Sequence, residues 1–223
     1  MYKNLSALLA ATGLSPCVWV FDNDGTLYQQ SHEASMLVEV LMDQFFAVQM
    51  GLSMEEAADF RRELRRLHST KFTYHAVNAD PRFDLAAFSE ATYGAVNPKD
   101  FGLAYDPLVV NLIQRLRKTA ARLYVLTNNP RLFALRTTHA QGLSGLFHDV
   151  FGIDEMHFDF KPSPGVFAPI LARHPAAHPS EIVIVEDNYA NCVAAADLGW
   201  TTVWLTPFLG GETPPHYAIS SLV

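Results

Sequence analysis

The stretch VFDNDGTLY, from Val20 to Tyr28, decides how the rest of the chain is read. An apolar run, Val18 to Phe21, leads into two carboxylates one residue apart, with Gly25 and Thr26 behind them. An apolar run without alternation suits a strand covered on both faces, as in a parallel sheet. In an extended segment residues i and i+2 point to the same side, so Asp22 and Asp24 can face one ligand. Two anions this close repel each other, and a cation or a reacting group between them would remove the conflict.

Outward from this stretch the pattern repeats. Cys17 to Phe21, Leu123 to Leu126, Asp149 to Gly152, Ile182 to Val185 and Thr201 to Leu205 are short apolar runs ending in polar residues. Helical signals lie between them. Asp106-Pro107 supplies an N-cap and a first-turn proline, and Leu108, Val109, Leu112, Ile113 and Leu116 mark one face. Asn129-Pro130 starts another helix, with Gly142 as its stop, and Ser163-Pro164 starts a third. Asn188 caps a fourth, which Gly199 closes. Strands alternating with helices predict an α/β fold with a parallel sheet.

One segment breaks the alternation. From Gln29 to about Tyr105 only helical patterns occur. Leu37, Val40, Leu41, Phe45 and Val48 form a stripe ending near Gly51. Ser53 and Glu56 have capping-box spacing ahead of a helix to about Ser69, and a further helix is expected over Leu85 to Tyr93. The organisation predicted is a core of residues 1–28 and 106–223, with an all-helical cap domain, residues 29–105, inserted after the first motif. The opening MYKNLSALLAATGLSP reads as a short helix stopped by Gly13 rather than as a signal peptide.

Composition narrows the partners. The chain has 223 residues, 49% hydrophobic and 17% charged, which is globular composition. Its net charge of −7 gives no general attraction for nucleic acid. No apolar run reaches 18 residues, so no membrane span is expected. Two cysteines, Cys17 and Cys192, make no disulfide framework; both are expected to be buried thiols in a reducing, cytoplasmic setting. The sequence is silent on oligomeric state.

Ligands of open α/β sheets bind beyond the carboxyl ends of the strands. The first strand delivers Asp22 and Asp24 there, the second Thr127, Asn128 and Asn129, and the fourth Glu186, Asp187 and Asn188. Lys161 stands in FKPSPGVF, just before a helix start. Taken singly, each has a structural reading: a strand-end Asp as a turn residue, Thr127 as a local hydrogen bonder, Lys161 as a solvated loop residue, Glu186-Asp187 as a helix-dipole pair. Together, four carboxylates, one lysine, a hydroxyl and several amides suit a hard cation and a phosphate.

Asp22-Asn23-Asp24-Gly25-Thr26, Thr127-Asn128, Lys161-Pro162 and Glu186-Asp187 resemble the four motifs of the haloacid dehalogenase superfamily of phosphohydrolases. The resemblance implies a Rossmann-like core with a helical cap. The tyrosine of GTLY, the segment Gly51 to Ala57 and the HAVN segment, His75 to Asn78, look like the pyrimidine 5′-nucleotidase-like branch, which often carries Asn where this chain has Gly25. What the resemblance implies is a phosphatase acting on a small phosphorylated metabolite through an aspartyl-phosphate, with a nucleoside 5′-monophosphate as one substrate class. Asp22 would be the nucleophile and Asp24 the general acid and base. Mg²⁺ would be held by Asp22, Asp24, Asp187 and Glu186. Thr127, Asn128 and Lys161 would bind the substrate phosphate.

The cap would choose what the phosphate is attached to. His75 and Asn78 are candidate substrate contacts there, with Phe72 and Tyr74 either stacking on a base or packing the cap. Arg61, Arg62, Arg65 and Arg66 read as a solvated charged face. A sugar phosphomutase and a catalytically silent binding protein stay open as alternatives. A haloacid dehalogenase fits less well, because its chemistry has no use for Asp24 or a metal.

Overall fold

The computed structural model describes residues 1–29, 32–119 and 121–223, with backbone alone for 32–34. Gln30 and Ser31, at the expected start of the helical insertion, lie outside the described residues, as does Ala120. The chain runs β1 (Tyr2–Asn4), α1 (Leu5–Thr12), β2 (Val18–Phe21), α2 (His32–Met50), α3 (Met54–Leu67), α4 (Thr73–Ala79) and α5 (Leu85–Ser89). It continues through α6 (Pro107–Arg117), β3 (Arg122–Leu126), α7 (Arg131–Ala140), β4 (Asp149–Phe151), α8 (Ala168–Arg173), β5 (Ile182–Glu186), α9 (Tyr189–Asp197), β6 (Thr201–Leu205) and β7 (Tyr217–Ser221). These elements form two compact units, one of Met1–Gln29 with Leu103–Val223 and one of the residues between them.

Among the described residues the first unit holds one seven-stranded sheet in the order β1-β7-β6-β5-β2-β3-β4, every pair parallel. This is the α/β, Rossmann-like architecture, with β1 and β7 added to the five expected strands. The order decides where a ligand can sit. From β2 the chain moves outward one way through β3 and β4, then returns to β2's other side with β5 and moves outward again. That reversal opens a crevice between the ends of β2 and β5.

β2 is buried along its whole length, which explains its unbroken apolar run. Trp19 and Phe21, two apart and so on one face, stack with ring centroids 5.9 Å apart. They share an apolar cluster with Val109, Val110, Leu112, Ile113 and Leu116 of α6. Burying each such side chain stabilises by roughly 1.5–3 kcal/mol. Asp106 caps α6 as expected, accepting from the N–H groups of Leu108 and Val109, with Pro107 in the first turn. The buried stripe is shifted from the expected one: Leu108 is 63% exposed, and Val110 packs inward instead. Cys192 is buried, whereas Cys17 is exposed because it stands one residue ahead of β2, outside its packed length.

The second unit is helical. Ser53 and Glu56 form the expected capping box at the start of α3. The helix expected to reach Tyr93 is broken: α5 ends at Ser89 and a π-helical turn, Glu90–Gly94, continues it. Phe45, Phe46 and Phe88 are buried, and with the half-buried Phe60 and Phe83 they pack edge to face. The arginine face is not uniformly solvated. Arg61 is only 5% exposed and bonds Asp43 of α2 through Nε at 2.6 Å and Glu39 through a terminal nitrogen at 3.2 Å. Arg62 and Arg66 pair locally at the surface, with Asp59 and Glu63. No single helix among the described residues is long and apolar enough to cross a membrane.

Candidate active site

Strand register assembles the site. Phe21 pairs with Val185 of β5 on one side and Val125 of β3 on the other. The residues one step further, Asp22, Glu186 and Leu126, therefore emerge together at the carboxyl edge. The Asp22 N–H donates to the Val185 carbonyl at 2.9 Å, which continues the ladder up to the functional side chain. Lys161 comes from the segment after β4. Its Nζ donates to Asp22 Oδ1 and Glu186 Oε2, each at 2.6 Å, and to the Leu126 carbonyl at 2.8 Å. The three N–H bonds of the ammonium thus meet three acceptors, with the lysine only 2% exposed.

Beyond β2 the backbone turns sharply. Gly25 has φ +87, and its N–H donates to the Tyr28 carbonyl at 2.9 Å. A Cβ on Gly25 would lie 2.3 Å from Asp187 Oδ2, so glycine is needed here both for its backbone angle and for space. The turn presents Asp24. Its Oδ2 accepts from Asn129 Nδ2 at 2.9 Å, Thr127 Oγ1 at 3.1 Å and Asn23 Nδ2 at 3.2 Å, and its Oδ1 accepts from the Tyr28 hydroxyl. Asn23 is fully buried and also donates to Thr137 Oγ1, which ties this turn to α7.

The electrostatics follow from crowding acids in a dry place. Burial, then the charge of Glu186, pushes the Asp22 carboxyl well above the usual range, although Lys161 pulls the other way. Asp187 is the exposed member of the three, yet partial desolvation and the charge of Glu186 push it up to about 7. Burial pulls Lys161 down, but Asp22 and Glu186 outweigh it and hold the ammonium above its ordinary range.

The donor set suits a metal. Oxygens of Asp22, Glu186 and Asp187 lie within 4.8 Å of one another. Hard carboxylate oxygens are what Mg²⁺ takes, and the raised carboxyls mark a repulsion that a dication would relieve.

The structure thus brings Asp22, Asp24, Thr127, Lys161, Glu186 and Asp187 to one edge. The side chain of Asn128 is spent on the backbone of Lys161, donating to its carbonyl at 3.1 Å and accepting its N–H at 2.7 Å. It clamps the lysine and would reach a phosphate only by giving up that clamp. His75 and Asn78 lie in the other unit, three residues apart on α4 and so on one helix face. Tyr74 is buried and packs edge to face on Tyr93, 5.7 Å away, which makes it part of the unit's interior. Around Asp24, Tyr28 was not predicted for the site, and Asn129 was placed at the sheet's mouth without a role. Asn129 stood at a strand end, and its position before Pro130 read as a helix cap. Its side chain goes to Asp24 instead, and Pro130 occupies the cap position.

Fold and site together define a hydrolase class. The family model for haloacid dehalogenase-like hydrolases matches residues 18–199, and the chain belongs to that family. Among curated proteins it is similar to phosphate metabolism protein 8 of Saccharomyces cerevisiae, 22% identical over 192 residues and covering 82% of this chain. The match spans 59% of that relative's length. Among solved structures, a HAD phosphatase from Thermococcus onnurineus superposes with a TM-score of 0.62 at 22% identity, covering 92% of this chain and 93% of that one. CbbY from Rhodobacter sphaeroides, solved in complex with phosphate, gives 0.62 at 22%, with 92% and 94% coverage. The L-2-haloacid dehalogenase from Xanthobacter autotrophicus gives 0.51 at 19%, with 89% and 85%. At these identities the likeness to solved structures is one of fold.

Proposed function

We propose that this hydrolase is a Mg²⁺-dependent phosphatase of small phosphomonoesters that works through an aspartyl-phosphate on Asp22. The observation that carries this reading is the cluster of Asp22, Glu186 and Asp187, the first two bonded to the Lys161 ammonium, with Asp24 beside it. Displacing a halide needs one carboxylate nucleophile. It has no use for a second acid or for a cation-binding group. Transferring a phosphoryl group from an alkoxide needs both. The neighbours in fold include a HAD phosphatase, a protein solved with phosphate and dehalogenases, so the choice rests on the acids themselves.

In the proposed sequence an oxygen of Asp22 bonds to phosphorus as the ester P–O bond breaks, and Asp24 gives its proton to the leaving alkoxide. A water oxygen then bonds to phosphorus, its proton passes to Asp24, and the Asp22–phosphorus bond breaks to release phosphate. Lys161 holds Asp22 in place and supplies fixed positive charge beside the transferring group. Thr127 donates its one hydroxyl proton to Asp24 and would bind a phosphoryl oxygen by giving up that bond. Asp22, Glu186, Asp187 and the Asp24 backbone carbonyl would hold Mg²⁺, which when bound neutralises charge on the phosphoryl oxygens. Nucleoside 5′-monophosphates are the first substrate class to try, with His75 and Asn78 as the residues to vary for specificity.

The test is a phosphate-release screen over nucleotides and sugar phosphates with and without Mg²⁺, with Asp22→Asn as control. Metal-dependent release that Asp22→Asn abolishes is expected. Release that survives Asp22→Asn would refute the nucleophile. Isomerised sugar phosphate without free phosphate would point to a mutase, and binding without turnover to a silent protein.

A further inference from the structure

Asp24 is gripped at both carboxyl oxygens, and unevenly. Oδ2 receives Asn129, Thr127 and Asn23, whereas Oδ1 receives the Tyr28 hydroxyl. Tyr28 lies four residues on in the same turn and is 8% exposed. Its carbonyl accepts the Gly25 N–H at 2.9 Å, and a backbone bridge joins Asp24 to Tyr28. The phenol therefore stands on backbone tied to the residue that it holds.

The terminal torsion of an aspartate is soft and roughly two-fold, so the plane of a carboxyl is set by its partners. Donors on Oδ2 alone leave that plane free to swing about the held oxygen; a donor on Oδ1 stops it. The Asn129 and Asn23 amide nitrogens only donate, whereas the hydroxyls of Thr127 and Tyr28 both donate and accept, and Tyr28 is the hydroxyl that sits on Oδ1. It can stay on Oδ1 whether Asp24 carries its proton or has lost it.

We propose that Tyr28 is a positioning residue that fixes the plane of the Asp24 carboxyl for proton transfer to the leaving oxygen and from the attacking water. The assignment rests on the phosphatase reading above. Tyr28 itself forms and breaks no covalent bond: the proton moves between Asp24 and the ester oxygen or water, and the phenol keeps its own.

The test compares Tyr28→Phe with wild type on two esters, an alkyl phosphate and 2,4-dinitrophenyl phosphate. The alkoxide needs Asp24's proton to leave, whereas dinitrophenolate departs without one. We expect kcat/KM for the alkyl ester to fall about 10- to 100-fold, the scale of a misplaced acid, with the dinitrophenyl value near wild type. The ratio of the two values does not depend on how much of the variant is folded. Asp24→Asn should shift it in the same direction and further. An unchanged ratio in Tyr28→Phe, with wild type active on both esters, overturns the role of Tyr28 and leaves the phosphatase reading standing. A wild-type protein that releases phosphate from neither ester overturns that reading and this assignment together.

Discussion

Lys161 Nζ lies 2.6 Å from Asp22 Oδ1, joining residues 139 apart in sequence, with 1% of the lysine side chain exposed. A buried ammonium is costly unless paired, and this one also meets Glu186 and a backbone carbonyl. Lys161→Met would leave two buried carboxylates facing each other without a counter-charge. Phosphate release should fall by about 10²–10³, the cost of removing a fixed electrostatic donor. Folding should weaken by about 3–5 kcal/mol, as when one partner of a buried pair is lost. Steady-state kinetics and urea denaturation on the same preparation check both. Near-wild-type turnover would remove Lys161 from the mechanism.

Gly25 separates backbone strain from crowding of the metal site. Gly25→Ala puts a side chain at φ +87, costing about 1–2 kcal/mol, and drives its Cβ to within 2.3 Å of Asp187 Oδ2. Asp187 must move, so the Mg²⁺ concentration for half-maximal activity should rise. A Mg²⁺ titration of activity reads this directly. An unaltered half-saturation point would mean that Asp187 does not bind the ion.

Acid should weaken the fold through two aspartates away from the site. Asp80 is held below its usual range chiefly by hydrogen bonds from Arg82. Burial pushes Asp149 up, but the Arg131 hydrogen bond and the charges of Arg131 and Arg173 outweigh it, and its net shift is downward. A carboxyl lowered in the folded state stabilises fully above its unfolded pKa, about 3.9, and that contribution is lost as pH falls through the folded value. Unfolding free energy should therefore drop steeply below about pH 4, and Asp149→Asn should flatten the slope. Chemical denaturation from pH 3 to 7 tests this. A slope equal in wild type and variant would discard Asp149 as a contributor.

The arginines of α3 should divide by burial. Arg61→Met leaves Asp43, whose side chain is 12% exposed, without its cation, and should cost about 3 kcal/mol. Adding Asp43→Leu should recover much of that loss. Arg66, whose side chain is 78% exposed, should be replaceable by Ala with no shift in the melting midpoint. Equal effects at the two positions would contradict the buried pairing.

The core strands were legible because burial on both faces writes an unbroken apolar run, and the runs of β2, β3, β5 and β6 end at a carboxylate or hydroxyl. β1 and β7 left no such trace. They are short, and they are defined by pairing with each other across nearly the whole chain, Tyr2 with Ile219 and Asn4 with Ser221. Local periodicity carries no information about a partner that distant. Arg61 was misread for a related reason: its spacing to Arg65 is visible in sequence, whereas the Asp43 that draws it inward stands on another helix. Around Asp24, residue types announced a polar site but not its wiring. Asn128 and Asn129 are adjacent and chemically identical, yet one holds the lysine and the other the carboxyl.

The strand order also has a consequence for synthesis. Emerging from the ribosome, β2 meets β3 first, and its opposite edge is covered only when β5 arrives some 160 residues after β2, Val18 against Ile182. Until then the segment Val-Trp-Val-Phe offers unpaired amides on a wholly apolar strand, a template for the wrong neighbour. The nascent chain is thus most open to misassembly at the strand that later carries the nucleophile, and substitutions that delay β5 should reduce soluble yield before they touch catalysis.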